Sequence, residues 1–245
     1  MIFYNGVLLN KRMKRLGIIQ ARMGSSRLLN KMLLILHGHS IIEWVIKRTT
    51  KSCLLDDLVV AIPDTPENDV LEVEILKFGV KVFRGDENDV LSRFYFAAKE
   101  NNATHVVRVC ADNPLIDSNE IDNLIRYYFQ NSCDYAYNHI PKNNNYPDGL
   151  GAEITSFETL KYLFEITKQT QQREHIFNYI WENTDQFSIK TFNPTSQEIQ
   201  YPELKLDLDT QNDFNWLKKL NINPEMSASE IIKSALKISR SLNTN

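Results

Sequence analysis

Basic and small polar residues follow the first predicted strand within about ten positions. The apolar residues 17–19 end at Gln20, and residues 1–42 hold seven Lys or Arg, whereas the first acidic residue is Glu43. The side chains and glycine that follow are Arg22, Gly24, Ser25, Ser26, Arg27 and Lys31. A loop with guanidinium, ammonium and hydroxyl groups and without carboxylates is typical of a site that binds phosphate groups.

The common phosphate-binding motifs do not describe this loop. Gly24 is followed by no second glycine before Lys31, and Met32 stands where a Walker A loop carries Ser or Thr. The segment also lacks the GxGxxG pattern of dinucleotide-binding proteins. From residue types alone, a triphosphate-binding loop and a solvated basic loop both remain open.

Carboxylates occur at the ends of two later apolar segments. Asp112 ends the segment 105–112, and Asp207 and Asp209 alternate with leucines in the segment 203–209. Carboxylates at strand ends bind Mg²⁺, which prefers oxygen ligands and often keeps substrate phosphates in its shell. Taken singly, each Asp fits a helix cap or a turn at least as well, so both interpretations stay open.

Composition narrows the function classes. The chain has 245 residues, 42% hydrophobic and 24% charged, and its net charge of −3 argues against a general nucleic-acid binder. Three cysteines share no disulfide or zinc spacing, which predicts reduced thiols in a cytoplasmic protein. We find no signal peptide and no apolar run near the roughly 18 residues of a membrane span, so no membrane association is expected.

Hydrophobic periodicity predicts strands that alternate with helices. The predicted strands are 17–20, 56–63, 80–85, 105–112, 133–140, 151–155, 187–192 and 203–209. Helices are predicted at 40–52, 69–79, 89–102, from Asp117 or Ser118, after a capping box of Thr155 and Glu158, at 171–183, and from 227 to about 240. The pattern predicts an α/β fold with βαβ units on a mostly parallel sheet. We expect one domain over residues 13–245, preceded by an N-terminal extension of residues 1–12.

Six segments, in this order, resemble the SpsF-type nucleotidyltransferases of surface-polysaccharide synthesis. They are IIQARMGSSRLLNKML (18–33), FRGDENDVLSRF (83–94), VVRVCADNPLID (106–117), YPDGLGAEI (146–154), REHIFNYI (173–180) and LDLDTQNDF (206–214). That group is similar to the cytidylyltransferases that make CMP-Kdo and CMP-sialic acids. The resemblance implies a Rossmann-like, three-layer α/β/α nucleotidyltransferase fold, GT-A-like, with a mostly parallel mixed sheet.

The resemblance also implies a site for CTP and Mg²⁺. The implied nucleotide-binding residues are Ala21, Arg22, Gly24, Ser25, Arg27, Lys31, Asp89, Arg93 and Arg108. Asp112 and Asp209 match the metal-binding carboxylates of the relatives. The implied catalytic residues are Arg22, Arg27, Lys31, Asp112 and Asp209, which would neutralise the phosphates and the pyrophosphate leaving group.

Four residues are predicted to contact the acceptor sugar, namely Glu153, Arg173, His175 and Tyr179. His175 and Tyr179 match an H-x-x-x-Y pair that faces the acceptor in the Kdo enzymes. From the pattern alone, His175 also fits a structural position and Tyr179 a core position. Glu153 fits either a contact with a sugar hydroxyl or a solvated strand face.

Two positions depart from the family pattern. Leu29-Asn30 replaces the usual Pro-Gly before the loop lysine, which could change how closely the backbone approaches the phosphates. The proline that usually follows Thr210 is also absent, which affects the entry into the next helix more than a metal ligand.

The expected reaction is transfer of CMP from CTP to a sugar acid or sugar phosphate with release of pyrophosphate, in surface-polysaccharide or glycan biosynthesis. The expected partners are CTP and this acceptor, with neither nucleic acid nor membrane, and a homodimer is the assembly considered. Two alternatives stay open on the same fold: a nucleotide-sugar-dependent glycosyltransferase and a non-catalytic nucleotide-binding protein.

Overall fold

A seven-stranded mixed sheet runs through residues 12–242, the part of the chain that the computed structural model describes. In chain order its strands are β1 (Arg15–Gln20), β4 (Asp57–Pro63), β5 (Lys81–Gly85), β6 (His105–Cys110), β7 (Tyr135–Tyr137), β8 (Glu153–Ser156) and β9 (Ile189–Lys190). Their order across the sheet is β5-β4-β1-β6-β8-β7-β9, and β8 runs against the direction of the other six. β2 (Ile35–Leu36) and β3 (His39–Ser40) form a separate antiparallel pair. The predicted N-terminal extension lies outside the described residues except for Arg12.

Helices cover both faces of the sheet. One face carries α1 (Ile41–Thr49), α2 (Asp69–Leu76), α4 (Ser118–Gln130), α8 (Gln211–Leu217) and α9 (Ala228–Leu242). The other carries α3 (Val90–Glu100), α5 (Phe157–Ile166), α6 (Thr170–Glu174) and α7 (Asn178–Glu182). The helices on each face pack against the sheet and form a separate hydrophobic cluster, the first under α1 and the second under α3 and α5. The three-layer α/β/α fold with a mostly parallel sheet is therefore confirmed. Within residues 12–242, no helix has both the length and the apolar character needed to cross a membrane.

The predicted strand 203–209 is wrong, although its alternation of side chains is correct. Leu204, Leu206 and Leu208 are buried, as the pattern requires, but the segment makes a single β-bridge, between Lys205 and Asp148. Its amides donate to loop carbonyls instead of a neighbouring strand. The segment is therefore an extended strap across the loops at the carboxyl ends of the strands.

The predicted helix 171–183 is also interrupted. It divides into α6 and α7 at residues 175–177, where Ile176 and Phe177 are buried in the hydrophobic cluster under α3 and α5. Arg173 fixes the end of α6, because its guanidinium donates to the carbonyls of Phe164 and Thr167. Tertiary contacts therefore override the helical periodicity that the sequence shows.

Two smaller predictions also differ from the structure. Ser156, rather than Thr155, caps α5 by accepting a hydrogen bond from the Thr159 amide, because Thr155 is still buried in β8. The predicted strands 133–140 and 187–192 shorten to β7 and β9. Of the two caps proposed for α4, Asp117 is the one that the structure shows.

Gly149 allows the loop before β8 to pass directly over the strap that carries Asp209. Its φ is +85°, and a Cβ there would lie 2.6 Å from the backbone nitrogen of Asp207. Gly38 has the same φ of +85° but no heavy atom within 4 Å of a Cβ.

We expect Gly149→Ala to lower the free energy of unfolding more than Gly38→Ala. The left-handed backbone costs both variants about 1–2 kcal/mol, and the contact with Asp207 adds to the loss only at Gly149. Urea denaturation of the two variants measures the difference. Equal losses would show that the loop and the strap do not approach as closely as described.

Candidate active site

A cleft opens at the carboxyl ends of β1 and β6, the position where open parallel sheets bind ligands. The residues predicted from the sequence that line it are Ala21, Arg22, Ser25, Arg27, Lys31, Arg93, Arg108, Asp112 and His175. Gln20, Cys110 and Glu174 also line it, although no motif in the sequence gives them a role. The structure thus gathers cations, carboxylates and a histidine from distant segments at one edge of the sheet.

Buried side chains fix the loop that follows β1. Met23 and Leu28 pack into the hydrophobic cluster beneath α1, and the Met23 amide donates to Asn68 Oδ1 at 2.9 Å. Gly24 does not line the cleft; a Cβ there would lie 3.0 Å from Glu67 Oε1. The predicted contact of Gly24 with a nucleotide is therefore not supported by its position.

Asn30 takes the backbone conformation that suits glycine. Its φ of 53° and ψ of 29° lie in the left-handed region, which Asn enters more readily than most other residues. Lys31 begins a short 3₁₀ turn directly after it. The departure at Leu29-Asn30 therefore keeps a left-handed residue immediately before the loop lysine.

Lys31 joins the two carboxylates that were predicted as metal ligands. Its Nζ lies 2.9 Å from Asp112 Oδ1 and 3.6 Å from Asp209 Oδ1, and it donates to the Leu208 carbonyl at 2.9 Å. The Lys31 side chain is 6% exposed whereas that of Asp112 is 46% exposed. Asp112 and Asp209 therefore converge on one cation, although Asp209 comes from the strap rather than from a strand.

Two arginines near the loop carry positive charge that carboxylates balance only in part. Arg27 Nη2 lies 3.0 Å from Asp209 Oδ1, and its side chain is 64% exposed. Arg93 is buried, and its Nη1 donates to the Asp86 carbonyl at 2.6 Å, while its Nε has no hydrogen-bond partner among the described residues. Burial, aided by the nearby charge of Arg22, lowers the pKa of Arg93 to about 10. This arrangement favours an anionic ligand.

Polar residues replace apolar ones at the end of the face that α3 covers. Leu16 and Ile18 of β1 are buried in the cluster on this face, and Gln20 continues their alternation into the cleft. Arg108 and Cys110 follow Val106 in the same way on β6. The alternation of side chains in β1 predicts that Gln20 lies on the same face as Leu16 and Ile18. That this face forms the floor of the cleft follows only from the pairing of β1 with β6.

Glu153 does not occupy either of the positions that the sequence suggested. It is 3% exposed and accepts hydrogen bonds from Arg108 Nη1 and from the Tyr135 hydroxyl. Burial raises the pKa of its carboxyl, but Arg108, His139 and Tyr135 outweigh that effect and hold the pKa below its ordinary value. Glu153 therefore supports Arg108 from beneath rather than facing a sugar or solvent.

Asp89 and Arg173 contact each other instead of the cleft. Asp89 Oδ2 lies 2.6 Å from Arg173 Nη2, and Asp89 Oδ1 accepts from the Ser92 amide and so caps α3. Neither residue lines the cleft. The pair anchors α6 to the start of α3, and the contacts of these residues with nucleotide and acceptor remain predictions.

The break between α6 and α7 separates the H-x-x-x-Y pair. His175 is exposed and lines the cleft together with Glu174. Tyr179 instead packs against the second cluster, with its ring 6.1 Å from the ring of Phe187. The predicted position of His175 on the cleft agrees with the structure, whereas Tyr179 is partly buried at the edge of the hydrophobic core.

Two further carboxylates lie along the strap. Burial, followed by the charge of Asp207, raises the pKa of Asp148 to about 6, and Lys205 offsets only part of this shift. Burial likewise raises the pKa of Asp207, whose Oδ1 is buried without a hydrogen-bond partner among the described residues. Negative charge thus accumulates beside Asp209.

Comparison with known proteins identifies the class of this fold and site. The family model described as Cytidylyltransferase matches residues 16–240, and the chain belongs to this family. It is therefore a nucleotidyltransferase.

Three individual proteins extend the comparison. The chain is 31% identical over 226 residues to the spore coat polysaccharide biosynthesis protein SpsF of Bacillus subtilis, a match covering 89% of this chain and 92% of that protein. It superposes on the structure of a cytidylyltransferase from Leptospira borgpetersenii with a TM-score of 0.84 and 31% identity, over 94% and 96% of the two chains. A 3-deoxy-manno-octulosonate cytidylyltransferase of Fusobacterium nucleatum is 35% identical over 122 residues, covering 49% of this chain and 48% of that protein. The predicted resemblance is confirmed.

We expect Asp148→Asn to stabilise the metal-free protein at pH 8 and not at pH 4. Because folding raises the pKa of Asp148 from 3.8 to about 6, the stability that this group contributes is lost as the pH rises through that window. The amide removes this penalty, and because Asp148 is only partly buried, solvent screening limits the gain to about 1–2 kcal/mol. Urea denaturation in EDTA at both pH values measures it.

Asp185→Asn, which alters an exposed carboxylate, is the matched control and should be neutral at both pH values. A pH-independent gain in Asp148→Asn would contradict the shifted pKa.

Proposed function

We propose that this cytidylyltransferase transfers CMP from CTP to a sugar acid and releases pyrophosphate, in the synthesis of a surface polysaccharide or related glycan. The observation that carries the proposal is the convergence of Asp112 and Asp209 on Lys31 beside the arginine-rich loop. This geometry provides cations for a triphosphate and carboxylates for a metal at one strand edge. The name of the Fusobacterium nucleatum relative supports cytidylyl transfer to a sugar acid, and the name of SpsF supports a role in polysaccharide synthesis.

The loop after β1 would bind the triphosphate. In the reaction, the acceptor hydroxyl loses its proton to solvent and its oxygen forms a bond to the α-phosphorus of CTP, while the bond from that phosphorus to the oxygen that bridges the α- and β-phosphates breaks. Pyrophosphate leaves with the additional negative charge, and Arg22, Arg27 and Lys31 would neutralise it. The Ser25 hydroxyl lines the same cleft and is a further hydrogen-bond donor for phosphate oxygens.

The donor set at this edge fits Mg²⁺. Residues 12–242 contain no group of three or more His, Cys, Asp or Glu side chains that could hold a metal ion by themselves. Mg²⁺ needs fewer, because it is usually bound through one or two carboxylates together with water and substrate phosphates. Asp112 and Asp209 both lie close to the Lys31 ammonium, which supports the proposal that they can share one cation. These two residues would hold Mg²⁺, which supplies charge neutralisation for the phosphates when bound.

The remaining part of the cleft is suited to the acceptor. His175 and Glu174 line it from the break between α6 and α7, and Arg108 lines its floor. A carboxylate and hydroxyl groups of a sugar acid are complementary to these donors and acceptors.

Pyrophosphate release tests this function directly. We expect release from CTP and Mg²⁺ with 3-deoxy-manno-octulosonate or another acid in a panel of sugar acids and sugar phosphates, and no release in EDTA. CTP should also raise the melting temperature more than ATP, GTP or UTP. Turnover of sugar phosphates alone would overturn the acceptor class, and absence of turnover with every compound would overturn the proposed reaction.

We expect Arg27→Ala to weaken CTP binding about 10-fold or more and to leave folding stability almost unchanged. A hydrogen bond to a charged group contributes about 1.5–3 kcal/mol, whereas an exposed ion pair contributes about 0–1 kcal/mol to folding. Isothermal titration calorimetry and urea denaturation measure the two effects. Arg126→Ala, which removes an exposed arginine of α4, is the control and should bind CTP normally. Unchanged CTP affinity in Arg27→Ala would remove this residue from the proposed site.

A further inference from the structure

We propose that Tyr135 and Glu153 are positioning residues that orient Arg108 to bind the acceptor. This inference rests on the proposed function and assigns a support beneath its acceptor site. None of the motifs that carry the resemblance predicts it, because Tyr135 lies outside all six segments.

The register of the sheet brings the three side chains together. Arg108 of β6 lies opposite Glu153 of the antiparallel strand β8, and β8 pairs in turn with β7, which carries Tyr135. All three side chains lie on the face that α3, α5 and α7 cover. Tyr135 is fully buried and Glu153 is 3% exposed, so the support is closed to solvent, whereas 18% of the Arg108 side chain is exposed.

Hydrogen bonds fix the guanidinium of Arg108 on two sides. The Tyr135 hydroxyl donates to Glu153 Oε1, Arg108 Nη1 donates to Glu153 Oε2, and Arg108 Nε donates to Gln20 Oε1 at 3.0 Å. Arg108 Nη2 makes no hydrogen bond to any described residue. Because a guanidinium only donates, the oxygen of the Gln20 amide must face it, which leaves the Gln20 NH₂ group for the cleft. This part of the floor therefore presents donors to an oxygen-bearing ligand.

The resemblance implies that Arg108 binds the nucleotide, but its place in the sheet favours a contact with the acceptor instead. Arg27 and Lys31 follow β1, and Arg93 contacts the carbonyls of the loop after β5. Arg108 lies in β6, on the opposite side of β1 from β4 and β5. Arg27 and Lys31 thus contact the strap, whereas the Arg108 side chain lies on the sheet face covered by α3, α5 and α7, where Ile176, the neighbour of His175, is buried.

We expect loss of the Tyr135 hydroxyl to loosen the position of the Arg108 guanidinium. Glu153 is a buried carboxylate, and without this donor one of its oxygens has no remaining hydrogen bond. The pair of Glu153 with Arg108 then loses part of the network that holds its geometry, and the free edge of the guanidinium is less well fixed.

Tyr137→Phe is a matched control for Tyr135→Phe. Tyr137 lies two residues along the same strand, is 1% exposed, and has its ring 5.9 Å from that of Tyr135. Its hydroxyl donates to the Lys142 carbonyl at 2.6 Å and does not contact Glu153 or Arg108. Both variants therefore remove one buried hydroxyl, but only one of them interrupts the support of Arg108.

The test compares both variants with the wild type in three measurements. The first is CTP affinity by calorimetry, and the second is KM and kcat for the panel compound that the wild type turns over fastest. The third is the NMR signal of the Arg108 Nε–H, assigned by its loss in Arg108→Lys. In Tyr135→Phe we expect KM for the acceptor to rise about 10-fold, the Nε–H signal to broaden or exchange faster, and CTP affinity to stay unchanged. Tyr137→Phe should match the wild type in all three.

The outcomes separate this inference from the proposed function. Equal acceptor KM values in the two variants, or a loss confined to CTP affinity, would overturn the positioning role while cytidylyl transfer stands. An unchanged Arg108 signal in Tyr135→Phe would also overturn it. Absence of CTP-dependent turnover in the wild type would overturn the proposed function and this inference with it.

Discussion

The cleft depends on the ion pairs and the hydrogen bond of the Lys31 ammonium. They bring together three segments that are distant in sequence: the loop after β1, the end of β6 and the strap. Asp112 follows β6, while Leu208 and Asp209 belong to the strap. Two carboxylates that both lie within 4 Å of one point repel each other unless a cation lies between them. With the side chain of Lys31 almost fully buried, the attraction is less screened by solvent than at a surface pair.

Hydrophobic packing places each partner of this interaction. Met32 and Leu208 are buried in the same cluster, and each is the immediate neighbour of a charged member of the site, Lys31 and Asp209 respectively. Ala111 is buried in this cluster next to Asp112. The strap is not a strand of the sheet. The burial of its leucines and its backbone hydrogen bonds hold Asp209 at the edge.

The sequence predicts those elements whose side chains alternate or repeat within a single segment. The strands and helices of the first half, the cationic loop and Asp112 could all be predicted in this way. Glu153 could not, because its partner Arg108 is set by the register of an antiparallel strand that joins the sheet after a long loop. The contact of Asp89 with Arg173 likewise depends on how α6 meets α3, which no spacing within either segment records.

Like charges lie close together in the cleft and beside the strap, which costs electrostatic free energy that a ligand of opposite charge would offset. Burial and then the charge of Arg22 lower the pKa of Arg93, and burial and then the charge of Asp207 raise the pKa of Asp148, so like charges lie close together at both places. An anion would offset the first pair and a cation the second. The proposed substrate, CTP with Mg²⁺ held by Asp112 and Asp209, would bring both kinds of charge to this edge of the sheet. Neither a neutral sugar nor a free metal ion carries both charges, so the charges at this edge favour a nucleotide ligand over a sugar alone.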